Sequence, residues 1–255
     1  MGCYRTPQVK VKFLGHIMHK IQEEILLDPE GPLIQGRFSE SGDVTINNYR
    51  DYYILMCAKA LSSLDSCIDK SKLSLSLLNH ADINKISKDD KQKSELIQLW
   101  VENSIIRVQS CYERLLILVN RIFDLGLANE SISHNTLVCN DHIKRYGVDV
   151  FLRKINKSCQ EYRFIRNTVI HHDRYTEEKL DQLTIILAGN YLSIEAGRGE
   201  IVKSDVIEQL VSEFLSVKQE TLTEYITNIE NEIHSLYDTL LKIYHIKKKE
   251  LGAKI

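Results

Sequence analysis

Proline is scarce in this 255-residue chain and confined to one end of it. All three prolines lie within the first 32 residues, and glycine is absent from residues 43–125 and again from residues 200–251. Proline and glycine break helices and build turns. A fold of many short strands needs turn residues about every 8–12 positions. The chain therefore argues against a predominantly β fold and favours long, uninterrupted helices.

Strong net charge and paired cysteines are also missing. The formal net charge is −2, which gives no general attraction to nucleic acid or membranes, so an anion site has to be a local patch. None of the six cysteines forms a C-x-x-C pair, which argues against a cysteine zinc site. The sequence also has no signal-peptide pattern at its start and no run of about 18 apolar residues. We expect a cytoplasmic protein that does not enter the membrane.

Apolar residues recur every three or four positions along several long segments. The predicted helices cover residues 48–78, 88–125, 148–159, 160–172 and 205–249. As a single helix the last segment would span on the order of 65 Å, more than a compact bundle needs, so one helix and two helices both remain open. The pattern predicts an all-α fold, an antiparallel helical bundle with a long C-terminal helical region.

The connections suggest where the chain divides. Residues 28–47 hold two of the three prolines and three glycines, which predicts a loop. We therefore expect an N-terminal arm and loop over residues 1–47 and a helical body over residues 48–255. Residues 79–87 are predicted as a polar connection. The apolar run LTIILA, within residues 173–199, fits either a short helix or one strand.

Side chains that can take part in catalysis or ligand binding concentrate in residues 161–175, EYRFIRNTVIHHDRY. We call these residues the motif segment. It contains three arginines, two histidines, one asparagine and one aspartate. On a helix, residues four apart share a face, so Arg163, Asn167 and His171 form one polar stripe. His172 falls on a mostly apolar stripe instead. This predicts a functional role for His171 and a structural one for His172.

Within the motif segment, Arg166, Asn167 and His171 read R-N-x-x-x-H. This pattern resembles the signature of the HEPN superfamily, whose members carry it on a helix of an all-α bundle. Arg166 is the only arginine in the chain followed by a histidine after four to six intervening residues. The body from about Asn48 to the end resembles the Cthe_2314-like HEPN group.

The resemblance implies a function as well as a fold. HEPN proteins usually form dimers in which two motif copies face a shared cleft, and many are metal-independent endoribonucleases that act as toxins or antiviral defence effectors. It thus implies a homodimeric RNase with an RNA substrate and with no metal or other cofactor. The alternative is a catalytically inactive HEPN-like protein that binds nucleic acid or a partner, such as an antitoxin or a nucleotidyltransferase-type protein.

The residue types suit RNA cleavage by attack of the 2′-hydroxyl. Histidine exchanges protons near neutral pH, so we assign proton transfer to His171. The forked guanidinium of Arg166 suits stabilisation of the phosphate charge, and Asn167 is placed to orient the histidine or the substrate. Arg163 and Arg174 extend the patch and are candidate phosphate-binding residues.

One geometric constraint bears on this assignment. Arg166 and His171 are five residues apart, which places them about 140° apart around a straight helix. They do not share a stripe within one protomer. A symmetric dimer that brings two copies together, or an irregular helix, removes the difficulty.

Two metal-dependent sites are alternatives to this assignment. His172 and Asp173 resemble the HD pair of helical metal phosphohydrolases, with His134, His142 and Asp181 available as further ligands, but the apolar placement of His172 counts against this. A di-iron bundle needs Glu-x-x-His pairs. No histidine in the chain has an acidic residue three positions before it, which excludes that site.

Overall fold

The computed structural model describes residues 19–160, Tyr162, Tyr175 and residues 177–253. Within these residues the fold is all-α, without a β-strand, as the sequence predicted. The helices are α1 (Lys20–Leu26), α2 (Tyr49–Ser76), α3 (His80–Ile86), α4 (Asp90–Ile122), α5 (His134–Val138), α6 (Asp141–Arg145), α7 (Val148–Ser158), α8 (Glu178–Glu195) and α9 (Ser204–Gly252). None of these helices combines the length and apolar content that a bilayer span requires.

The centre of the bundle is the antiparallel pair of α2 and α4. Near one end the Tyr53 hydroxyl donates to the Ile122 carbonyl at 2.9 Å, and further along the Cys67 thiol donates to the Arg107 carbonyl at 3.2 Å. The residue numbers of the contacting pairs thus rise along α2 as they fall along α4, so the two helices run antiparallel. Both helices lack proline and glycine and bury an apolar stripe along most of their length, so each stays continuous.

The C-terminal region, for which one helix and two helices were both open, is a single helix of 49 residues. At 1.5 Å per residue α9 spans about 74 Å. It runs antiparallel to α2: the rings of Tyr53 and Tyr244 stack at 5.6 Å, and Lys72 pairs with Glu230 at 2.6 Å. Burial of one face from Ile207 onward supports this length, since the stripe continues to the last turns.

Two connecting segments are helical. Residues 79–87, predicted as a polar connection, contain the seven-residue helix α3, so that prediction was wrong. The Asn79 side chain caps it by accepting from the Asp82 backbone N–H at 2.9 Å, and Ile83 is its single buried residue. One buried residue gives too little periodicity to recognise a helix. The LTIILA run, for which a strand was also open, lies within α8.

The residues before the proline-containing loop contact the helical body. Ile21 and Ile25 of α1 are fully buried, and α1 lies against α2 and α9. Just after α1, the Asp28 carboxylate accepts a hydrogen bond from Tyr244 at 2.6 Å and pairs with Lys248 at 2.7 Å. Residues 29–47 then form turns, and one isolated antiparallel β-bridge joins Phe38 and Val44. A domain boundary at residue 47 stays a prediction.

A half-buried carboxyl group, that of Asp65, lies between α2 and α9. The Tyr237 hydroxyl donates to Asp65 at 3.3 Å. Burial raises the pKa of Asp65 from its ordinary 3.8 to about 6, more than the hydrogen bonds from Gln22 and Tyr237 lower it. Because the folded-state pKa lies above the unfolded one, the contribution of Asp65 to stability is complete below about pH 4 and is lost as the pH rises through about 6.

We therefore expect Asp65→Asn to stabilise the protein at pH 8 relative to wild type. The gain has a ceiling of roughly 3 kcal/mol, since each pKa unit corresponds to about 1.4 kcal/mol, and it should shrink as the pH falls from about 6 to about 4. Urea unfolding of both proteins across this pH range measures the difference, with Asp141→Asn as the matched control, since the Asp141 side chain is exposed on α6. A difference that does not change with pH would contradict the assignment.

Candidate functional site

The predicted site residues Arg163, Arg166, Asn167, His171 and Arg174 lie outside the described residues, as do His172 and Asp173. The structure does describe Tyr162 and Tyr175 within the motif segment, together with the helices that contact them. These contacts define how the two ends of the segment are held.

The first end is held between α4 and α9. The side-chain amide of Gln109, a buried residue of α4, donates to the Cys159 carbonyl at 2.5 Å and to the Tyr225 hydroxyl at 2.9 Å. The Tyr225 ring on α9 lies 4.6 Å from the ring of Tyr162, centroid to centroid. The chain therefore enters the motif segment fixed by one buried amide and one aromatic pair.

The second end is held by the same two helices. The backbone N–H of Tyr175 donates to the Glu102 carboxylate of α4 at 2.7 Å. The Tyr175 hydroxyl donates to Glu177 at 2.6 Å, and Lys218 of α9 pairs with that carboxylate at 2.5 Å. The Lys218 ammonium also donates to the Tyr175 hydroxyl at 3.0 Å, which closes a triangle of three polar groups.

Ionisation of this triangle follows from its burial and pairing. Burial opposes the charge on Glu177, but hydrogen bonds from Lys218 and Tyr175 outweigh it, so the pKa of Glu177 lies below its ordinary value. Burial and the neighbouring carboxylate both raise the pKa of Tyr175. At neutral pH the group thus consists of a carboxylate, an ammonium and a neutral phenol that donates.

Four side chains of regular helices hold the two ends. Glu102 and Gln109 are seven residues apart on α4, and Lys218 and Tyr225 are seven apart on α9, so each pair shares one helix face two turns apart. The two helices run parallel here. Lys93 of α4 pairs with Glu208 of α9 at 2.7 Å, and later along both helices Gln109 contacts Tyr225. We call Glu102, Gln109, Lys218 and Tyr225 the motif frame.

The frame was not predicted from the sequence, although one signal was present. Lys218 occupies a core-facing position of α9 between buried Leu215 and Leu222, and its exposed fraction is 7%. Lysine is almost never buried unless it is paired. A lysine within an apolar stripe therefore indicates a buried anionic partner, although the sequence does not say which one.

A cavity of about 640 Å³ adjoins the second end of the motif segment. It lies between α8 and α9, and both Tyr162 and Tyr175 contribute to its wall. The other described residues that line it are Glu177, Lys179, Gln182, Leu183, Ile186, Leu210, Glu213, Phe214, Val217, Lys218 and Thr221. Its volume falls in the range of about 300–1,000 Å³ typical of small-molecule sites.

The proposed additional ligands of the metal-dependent alternative do not form a cluster. The His134 ring bonds the Tyr112 hydroxyl at 2.5 Å, His142 is exposed on α6, and Asp181 belongs to α8. Among the described residues no group of three or more His, Cys, Asp or Glu side chains is arranged to hold a metal ion.

The ion pair in the motif frame is open to a direct test. We expect Lys218→Met to lower the free energy of unfolding by about 2 kcal/mol, because it leaves the Glu177 carboxylate partly buried without its cation. Adding Glu177→Gln should recover part of this loss, since the unpaired charge is then gone. Urea unfolding measures both effects.

Lys20→Met is the matched control for this experiment. Lys20 pairs with Glu24 on the surface of α1, and such exposed pairs contribute less than about 1 kcal/mol. If Lys218→Met costs no more than Lys20→Met, the pair does not stabilise the frame.

Comparison with known families agrees with the fold. The model of the Cthe_2314-like HEPN family matches residues 53–248, which run from early α2 to near the end of α9 and include the motif segment and its frame. Searches of curated proteins and of solved structures gave no significant match. Because the match covers well over half of its length, the chain belongs to the Cthe_2314-like HEPN family.

Proposed function

We propose that this HEPN protein is a metal-independent endoribonuclease that acts as a homodimer, in the role of a toxin or defence effector. The observation that carries the proposal is the R-N-x-x-x-H motif of Arg166, Asn167 and His171 in a HEPN-type bundle. The two ends of the motif segment are anchored on the two long helices α4 and α9. Anchoring on rigid elements suits a site whose groups have to be positioned precisely.

The proposed reaction uses the RNA's own 2′-hydroxyl as nucleophile. One His171 imidazole takes the proton of this hydroxyl as its oxygen attacks phosphorus, and the bond from phosphorus to the 5′-oxygen breaks. The imidazolium then gives its proton up to solvent, and solvent protonates the leaving 5′-oxygen. Arg166 stabilises the charge on the non-bridging oxygens, and Arg163 and Arg174 bind neighbouring phosphates. The products are a 2′,3′-cyclic phosphate and a 5′-hydroxyl.

Local charge supports this assignment. The chain as a whole is slightly acidic, whereas the motif segment carries three arginines against two acidic residues, plus two histidines. The Lys218–Glu177 pair beside it adds no net charge. The motif segment is thus a local cationic patch in a chain without general affinity for polyanions.

One feature favours the alternative, a HEPN-like protein that binds a partner without catalysis. Ile185 and Leu192, seven residues apart on α8, are 71% and 64% exposed and share one face of the helix. Exposed apolar side chains on one face are typical of interaction surfaces. An antitoxin or a nucleotidyltransferase-type protein would be such a partner. Both functions predict the same fold, and they differ in whether His171 acts.

An RNA cleavage assay in the presence of EDTA separates these functions. We expect wild-type protein to cleave RNA despite chelation, and His171→Ala or Arg166→Ala to reduce the rate by about 100-fold or more. Exposed His142→Ala is the matched control and should retain the wild-type rate. Unchanged cleavage by His171→Ala would refute the assigned site, and loss of activity on chelation would favour the metal-dependent alternative.

Complementation tests the composite site. If Arg166 of one protomer acts with His171 of the other, co-expressed Arg166→Ala and His171→Ala chains form mixed dimers in which one site keeps both groups. We expect activity to return in such mixtures and a dimeric mass by light scattering. A strictly monomeric active enzyme, or mixtures as inactive as the single variants, would contradict the shared cleft.

A further inference from the structure

The cavity between α8 and α9 has no role in the cleavage step, yet it lies beside the motif segment. Tyr162 and Tyr175, the described residues of that segment, both line it. Lys218, a member of the motif frame, lines it as well. A ligand in the cavity therefore contacts both described residues of the motif segment and one residue of the motif frame.

The charges of the cavity indicate which part of an RNA it accepts. Its described lining contains two lysines, Lys179 and Lys218, and two glutamates, Glu177 and Glu213. The Lys218 ammonium is already paired with Glu177 at 2.5 Å. Among the described lining residues, a phosphate would face one carboxylate for every cation. This balance favours an uncharged group in the cavity, and the arginines of the motif segment suit the phosphates.

The walls suit a flat aromatic group. Leu183, Ile186 and Leu210 provide apolar surface, and Phe214 is only partly buried, which leaves part of its ring accessible. Unpaired bases are typically recognised by stacking on aromatic side chains, combined with hydrogen bonds to the edge of the base. The volume of about 640 Å³ leaves room for a base together with its ribose.

We propose that this cavity binds one unpaired base of the RNA and selects bases that carry an exocyclic amino group. The proposal rests on the proposed function for its ligand class. Glu213 lines the cavity and is exposed, and an ionised carboxylate only accepts hydrogen bonds. Adenine, cytosine and guanine offer an amino group to such an acceptor. Uracil offers only its N3–H, and the carbonyl oxygens on both sides of this group repel a carboxylate. Uridine is therefore the disfavoured nucleotide at this position.

The test measures binding in a His171→Ala background, where the RNA stays intact. The probes are fluorescently labelled oligo(U) and oligo(U) with one central adenosine, cytidine or guanosine, and fluorescence anisotropy gives their affinities. We expect each substituted probe to bind several-fold more tightly than oligo(U). Glu213→Gln should remove this preference, because an amide can also donate to the carbonyl oxygens of uracil.

Two further variants check the cavity itself. Phe214→Leu keeps an apolar side chain but loses the ring face, so all probes should bind about ten-fold more weakly, with thermal unfolding reporting whether the fold is kept. Glu224→Gln is the matched control, since Glu224 is exposed on α9 and is not among the described residues that line the cavity. It should leave both affinity and preference unchanged.

The outcomes separate this proposal from the nuclease activity. Equal affinity for all probes, absence of binding, or a preference that survives Glu213→Gln overturns the base site. His171-dependent cleavage without base preference keeps the nuclease and overturns the base site. Selective binding that depends on Glu213, without any cleavage, supports the base site and overturns the nuclease.

Discussion

The organisation of this protein depends on one unbroken helix. The 49 residues of α9 bury a stripe that contacts α1, α2, α4, α7 and α8, so helices distant in sequence share one partner. A helix within a folded protein gains most of its stability from such tertiary contacts rather than from the helix propensity of its residues. Because neither proline nor glycine interrupts it before Gly252, its register is fixed from end to end. A residue placed at one turn is therefore positioned relative to every helix that α9 touches.

This rigidity explains how polar residues can be held in the interior. Burial of a charge is costly unless it is paired and hydrogen-bonded. Lys218 meets that requirement by contacting Tyr175 and Glu177, and Gln109 donates to the Cys159 carbonyl and the Tyr225 hydroxyl. The frame thus uses buried polar groups, whose hydrogen bonds require a specific geometry. Apolar contacts are non-directional and would let the segment shift along the helices.

The sequence predicted the long helices because their signal is strong. Long stripes without glycine or proline predicted α2 and α4, and Asn48 caps α2 as the first residue of its predicted span. They also predicted that residues 205–249 are helical, although one helix and two helices both remained open. The helix α3 escaped prediction because it has one buried residue. The motif frame escaped because Glu102, Gln109, Lys218 and Tyr225 meet only through tertiary contacts, and periodicity shows which face a residue occupies but not its partner. The R-N-x-x-x-H motif could be recognised from the sequence because its residues lie close together in the chain.

The motif frame and the motif segment have different roles. The frame fixes both ends of the segment: Lys218 pairs with Glu177, and Glu102 accepts from the Tyr175 backbone N–H. The sequence spacing of Arg166 and His171 does not place them on one face of a straight helix. In the proposed homodimer a second copy supplies the group that one such helix lacks. Anchored ends favour a reproducible geometry between the two copies.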